Sequence, residues 1–256
     1  MRKRPIDALS RGGPSNTDPA ELAKFASLSP NWWDRRGPFK ALHDINGLRV
    51  GYVHARAGLA GKSVLDIGCG GGILSEAMAA LGAAVTGVDA GEEALAVARR
   101  HAQASGLAVD YRRTTAEEIA AEAPGAFDIV TCMELLEHVP KPSSIVAACA
   151  RLVKPGGELF FATLNRNLKS WVFAILGAEY LLGLVQRGTH SYSRLIKPSE
   201  LQAWCNGCGL SIEDICGLHY NPFLKRYSLG GNTHVNYLMH ARRPYPAHLR
   251  PAGNLI

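Results

Sequence analysis

The sequence predicts an α/β fold: a mostly parallel seven-stranded sheet with helices on both faces and an antiparallel pair of strands at its late edge. Three observations predict it. From residue 64 onward, short apolar runs alternate with helical patterns, as strands joined by crossover helices do. The first run, VLDIGCGGGIL (64–74), passes through an acid into a turn of four glycines in five residues. The last two apolar runs, LSIEDICGLHY (210–220) and HVNYLMHARR (234–243), have no helical pattern between them, so they are expected to pair antiparallel.

The elements follow in order. SVLDIG is a buried strand, and GILSEAMAALG a helix stopped at Gly82. AVTGVD is a strand, and GEEALAVARRHAQASG a helix with acids in its first turn and a glycine stop. VDYRR is a short strand, and TTAEEIAAEA a helix with Thr and Glu at capping positions. FDIVTCM is a strand, SSIVAACARLVKPGG a helix closed by Pro and Gly, and ELFFATL a fifth strand. KPSELQAWCNGCG reads as one more helix. Residues 21–60 look helical, with Trp32, Trp33, Phe39 and Leu42 as apolar positions. Residues 1–20 have the composition of a flexible tail, and 21–256 are expected to form one domain.

Composition narrows the function. The chain has 256 residues, 47% hydrophobic and 20% charged, which is ordinary globular usage. Its net charge of +6 is spread, much of it at the ends, with no long Lys/Arg block, so nucleic acid is not an expected partner. The early residues lack the apolar core of a secretory signal, and a cytoplasmic location is expected. Among six cysteines, Cys205 and Cys208 have CxxC spacing, but no second such pair completes a zinc site, and structural thiols are expected.

The glycine turn departs from both common phosphate-binding patterns. A dinucleotide site wants a small residue where Ile73 stands, and a P-loop needs Lys followed by Ser or Thr. Asp66, two residues before Gly68, would repel pyrophosphate and attract an ammonium group. Asp89, ending the second strand, can accept from two ribose hydroxyls. A ribose, a cation near the loop and no phosphate together describe S-adenosylmethionine.

Beyond the glycine turn, ten segments carry a specific resemblance: NWWD (31–34), FKALHDINGLR (39–49), DIGCGGGIL (66–74), TCMELLEHVPKP (131–142), LVKPGG (152–157), TLNRNLKSW (163–171), GAEY (177–180), GTH (188–190), IKP (196–198) and GLHYNP (217–222). The chain resembles a Rossmann-like class I methyltransferase, and more closely the ubiquinone biosynthesis O-methyltransferases, from about residue 25 to about 241. The resemblance implies that Arg49, Gly68, Asp89 and Met133 touch the methyl donor, with Asp66 and Gly70 in the same turn. It implies methyl transfer to phenolic hydroxyls of polyprenylated ubiquinone precursors, a polyprenyl catechol and a 3-demethylubiquinol, and a place in a ubiquinone-pathway protein complex. The alternatives are a methyltransferase for another small apolar phenol or lipid, or a scaffold that binds the donor without turnover.

A phenol ionises near about pH 10, so a base or a metal should assist at neutral pH. Glu134, Glu137 and His138 stand at i, i+3 and i+4 and would share one face of a helix. Three roles are open for them: ligands of a divalent cation, a catalytic base at Glu137 or His138, or structural support. The resemblance also points to magnesium (Mg2+) at these positions. His190 and His219 are weaker polar candidates.

An apolar insertion at about 165–190 is too interrupted by Gly177, Glu179 and Gly183 to span a bilayer. It reads as a lid packed over the active site or as a surface element that meets lipid, and Lys169 and Arg187 flank it as expected of an interfacial segment near anionic headgroups. A peripheral contact with the inner membrane surface is the expectation, because drawing a polyprenyl tail into water costs about 0.8 kcal/mol per CH₂.

Overall fold

The computed structural model describes residues 16–166, 194–222 and 224–246. The eight strands are β1 (Ser63–Ile67), β2 (Ala84–Asp89), β3 (Val109–Arg113), β4 (Phe127–Met133), β5 (Val153–Leu164), β6 (Ser211–Asn221), β7 (Arg226–Leu229) and β8 (Asn236–Arg242). They form one sheet in the order β3-β2-β1-β4-β5-β8-β6-β7. The neighbouring pairs from β3 to β5 are parallel, while β8 runs antiparallel to both β5 and β6.

The structure corrects the expected strand number and one helix end. The sheet has eight strands rather than seven, because the four residues RYSL form β7 against the end of β6. The two late strands do pair antiparallel at that end of the sheet, with β7 as the outermost strand. β8 inserts between β5 and β6, and Tyr237–Ala241 are consequently buried in succession. The helix expected to run to Gly157 ends at Leu152, and β5 begins at Val153.

Seven α-helices surround the sheet: α1 (Pro19–Leu28), α2 (Lys40–Ala57), α3 (Ile73–Ala80), α4 (Glu92–Ala104), α5 (Ala116–Glu122), α6 (Pro142–Leu152) and α7 (Pro198–Gly207), counted among the described residues. Their ends obey local chemistry. Asp18 caps α1 by accepting from the Ala20 N–H at 2.9 Å, and Pro19 sits where no intrahelical donor is needed. Thr115 and Glu118 close a reciprocal capping box on α5. Asn16, within the expected tail, is tied down: it donates to Glu117 at 2.8 Å and accepts from the Lys141 N–H at 2.8 Å. Residues 1–15 and nearly all of the apolar insertion lie outside the described residues.

Both faces of the sheet are covered. Alternation along the strands sends Val64, Ile129 and Phe160 to the face under α2 and α3. Leu65, Val130 and Phe161 go to the face under α5, α6 and α7. The C-terminal ends of the parallel strands therefore open onto a common rim, where β1, β2 and β4 deliver the candidate residues.

Candidate active site

The glycine turn is held from below by β2. The N–H groups of Gly68 and Cys69 both donate to the Val88 carbonyl, at 2.8 and 3.1 Å. Gly70 N–H donates to Asp89 Oδ2 at 2.9 Å, and Gly91 N–H to Asp89 Oδ1 at 2.8 Å. Asp89 therefore fixes the turn through Oδ2, while its Oδ1 accepts from the loop that follows β2, and each oxygen keeps acceptor capacity. Gly70 and Gly72 have φ of 51° and 88°, and a Cβ at either would come within 2.2 Å of Trp32 or of the Tyr111 hydroxyl. Those positions admit no side chain on two counts.

Asp66 is buried between two hydroxyl donors, Ser75 at 2.6 Å and Thr131 at 2.7 Å. Burial raises its pKa, and the hydroxyls and the Arg49 guanidinium oppose that rise. Burial likewise raises Asp89 against its backbone donors. Arg49, on α2, is 4% exposed and donates to Asn46 Oδ1 at 3.1 Å. Its Nε has no partner among the described residues. Burial lowers its pKa, while Glu134 and Asp66 hold it up. Met133 ends β4, buried, and lines the same cavity as Arg49, Asp66, Gly68, Gly70 and Asp89. The structure thus brings together all six residues expected to bind the donor. A buried guanidinium with an unpartnered N–H, two carboxylates with spare lone pairs and a side-chain-free turn fit an amino-acid-bearing nucleoside.

The segment after β4 differs from expectation. Glu134 has φ of 60°, a left-handed conformation, and its N–H donates to Ala162 O at 2.9 Å. Only a single 3₁₀ turn follows, Leu136–His138, so the three side chains do not share a helical face. Val139 at its end is already extended and Pro140 follows, which stops the helix. Glu137 lies behind the cavity wall, 3% exposed, where Oε2 accepts from the Thr163 hydroxyl at 2.8 Å. Its Oε1 has no partner among the described residues. Burial and then the adjacent Glu137 push the Glu134 carboxyl well above the usual carboxylate range, with Arg49 opposing.

His138 does line the cavity, and its Nδ1 lies 2.9 Å from Glu21 Oε2 on α1. Phe25 meets the imidazole edge-on, with ring centres 5.1 Å apart. No group of three or more His, Cys, Asp or Glu side chains among the described residues is arranged to hold a metal ion. As arranged, Glu134, Glu137 and His138 do not converge into a magnesium site.

Several wall residues were not anticipated. Glu21, Phe25 and Trp32 arrive from the N-terminal segment, and Thr114 and Thr115 follow β3. NWWD was the one available signal for the first group, although it carried no chemistry of its own. His219 bonds the Gly230 carbonyl and stands away from the cavity wall, while His190 lies outside the described residues. All six cysteines are free thiols, and burial pushes Cys205 up to about 12. No described helix is long and apolar enough to cross a membrane.

Comparison with known proteins gives the family. The methyltransferase domain family matches residues 65–161. The ubiquinone biosynthesis O-methyltransferase of Pseudomonas aeruginosa is 60% identical over 229 residues, covering 90% of this chain and 99% of its own. That of Aromatoleum aromaticum is 59% identical over 228 residues, covering 89% and 97%. Among solved structures, magnesium protoporphyrin IX methyltransferase from Synechocystis with bound SAH superposes with a TM-score of 0.59 at 21% identity, over 80% of this chain and 85% of the other. A SAM-dependent methyltransferase from Aquifex aeolicus gives 0.58 at 15% identity, over 88% and 98%. At those identities the structures attest the fold, and the sequence relatives decide the family. This chain belongs to the ubiquinone biosynthesis O-methyltransferases.

Proposed function

We propose that the enzyme transfers a methyl group from S-adenosylmethionine to a phenolic hydroxyl of a polyprenylated ubiquinone precursor, a catechol or a demethylubiquinol. The observation that carries this is the Asp89-anchored glycine turn facing a buried, incompletely bonded Arg49, in a chain 60% identical to a ubiquinone biosynthesis O-methyltransferase. When bound, the donor supplies a methyl group already activated by a sulfonium sulfur. Asp89 would accept from the ribose hydroxyls at the lone pairs left by Gly70 and Gly91. Arg49 would hold the donor carboxylate, Asp66 its ammonium, and Met133 would pack on the adenine.

On the acceptor side, His138 is the base in this proposal. Its Nδ1–H faces the Glu21 carboxylate, which directs the ring's lone pair to Nε2, the atom that takes the phenolic proton. Glu134 lines the cavity beside it, with Glu137 buried behind the wall. The N-terminal helix α1 lies along the cavity wall and excludes water from the transfer. The insertion at about 165–190 is proposed to rest on the membrane surface and admit the tail, with residues 21–256 acting as one domain. Flotation on anionic liposomes should be lost when residues 170–185 are removed from an otherwise folded protein, and unchanged flotation refutes that contact.

The test of the main proposal is incubation with methyl-labelled donor and a short-tailed catechol. Label in the aryl ether is expected. Well-folded protein that neither binds the donor by calorimetry nor labels the catechol overturns the proposal. A chelator arm reports on the cation separately. Loss restored by magnesium would mean that His138 leaves Glu21 to join Glu134 and Glu137.

A further inference from the structure

The NWWD segment has no part in the chemistry above, yet both of its tryptophans meet the glycine turn. The Trp33 indole N–H donates to the Gly71 carbonyl at 2.9 Å. The Trp32 ring lies over the turn so closely that a Cβ at Gly71 would meet it at 2.2 Å. Each tryptophan is held in turn. Trp32 stacks on Phe39 with centroids 3.9 Å apart, and its carbonyl is bonded by His43 Nε2 at 2.9 Å. Trp33 stacks on His101 with centroids 3.4 Å apart and planes 1° from parallel. His101 Nδ1 lies 2.9 and 2.8 Å from the two oxygens of Glu76, a buried carboxylate in the first turn of α3. That helix begins directly after the turn at Gly72. The chain of contacts thus leaves the turn at Gly71, passes through Trp33, His101 and Glu76, and returns to the turn's own helix.

We propose that Trp32 and Trp33 are positioning residues for the methyl donor, clamping the glycine turn in its binding conformation alongside Asp89, with His101 and Glu76 holding Trp33 in place. The physical need is plain. Glycine loses more conformational freedom on ordering than any other residue, so a turn of four glycines must be held by its surroundings. β2 holds Gly68, Cys69 and Gly70, but the Gly71 carbonyl is held by Trp33. Without the clamp, the competent turn is only part of the ensemble, and apparent donor affinity falls by that fraction.

The proposal rests on the donor assignment above, and its test separates the two. Binding of S-adenosylmethionine and of its demethylated product is measured by calorimetry, beside hydrogen exchange of residues 68–72 in ligand-free protein. Trp33→Phe keeps the stack and deletes the N–H. It should raise both dissociation constants about fivefold, the worth of one hydrogen bond. Exchange at the turn should quicken, donor KM should rise in step, and acceptor KM and saturated kcat should stay within about twofold of wild type. A second pair guards against loss of fold. His101→Ala should weaken the donor about threefold, while His101→Phe, which restores a flat ring under Trp33, should bring it back toward wild type. Wild-type donor affinity in folded Trp33→Phe overturns the clamp. Should Trp33→Phe not fold, equal affinities for the two His101 variants overturn it instead. If wild-type protein binds neither ligand, the donor assignment itself fails.

Discussion

The two ends of β4 carry acids in opposite electrical states. At its start, Asp128 accepts from the Ser63 N–H at 2.9 Å, the Ser63 hydroxyl at 2.7 Å and Lys154 Nζ at 2.8 Å. Burial works against its charge, but Lys154 and Ser63 outweigh burial, and the carboxyl falls to about 2. Just past its end, Glu134 sits in a left-handed backbone beside the half-satisfied Glu137, and burial drives its carboxyl upward. The start of the strand is finished by the protein alone. The far end holds a carboxyl whose charge burial disfavours and, beside it, a Glu137 oxygen that no described residue bonds. Unmatched groups of this kind cost stability and mark sites of chemistry.

This contrast can be broken in graded steps. The largest effect is expected at the rim: His138→Ala should lower kcat by about 10²–10⁴, the range for a lost general base. Donor affinity by calorimetry and the urea midpoint should stay close to wild type; loss of donor affinity instead would place His138 in the donor pocket. At the other end, Asp128→Ala should cost about 1–2 kcal/mol of stability in urea titration, with kcat of the folded fraction unchanged.

The pH dependence should differ in sign. Asp128 has a lowered folded pKa, so its stabilisation is present above its ordinary value of 3.8 and is lost as pH falls toward about 2. The stability difference between wild type and Asp128→Asn should therefore shrink on acidification. Glu134 has a raised folded pKa, so the folded state is favoured below the ordinary 4.5 and loses ground as pH rises through the folded value. Glu134→Gln should match wild type near pH 5 and melt higher at pH 9, by about 2–4 °C for each kcal/mol relieved. Equal melting at both values would mean that Glu134 is not held protonated.

Much of this was legible in the chain itself. Strand and helix alternation follows from burial on both sheet faces, and Asp66, Gly68, Gly70 and Asp89 sit where local spacing puts them, at strand ends. What escaped was long-range or short. Glu-Leu-Leu-Glu-His fits a helical face on paper, yet Pro140 and the left-handed Glu134 leave room for a single 3₁₀ turn. RYSL is too brief and too polar to announce β7. The pairing of Glu21 with His138 spans 117 positions, and nothing near either residue signals it.

The position of β8 sets a constraint on synthesis. Asn236–Arg242 leave the ribosome after β6 and β7, yet they lie between those strands and β5. Until they emerge, β5 offers a row of unpaired amides and carbonyls with no neighbour to take, and the β6–β7 hairpin has nothing to dock on. A stalled or nonsense-truncated message ending before Asn236 would thus yield a nearly full-length polypeptide with an open, apolar seam, a substrate for chaperones and proteases rather than a weakened catalyst.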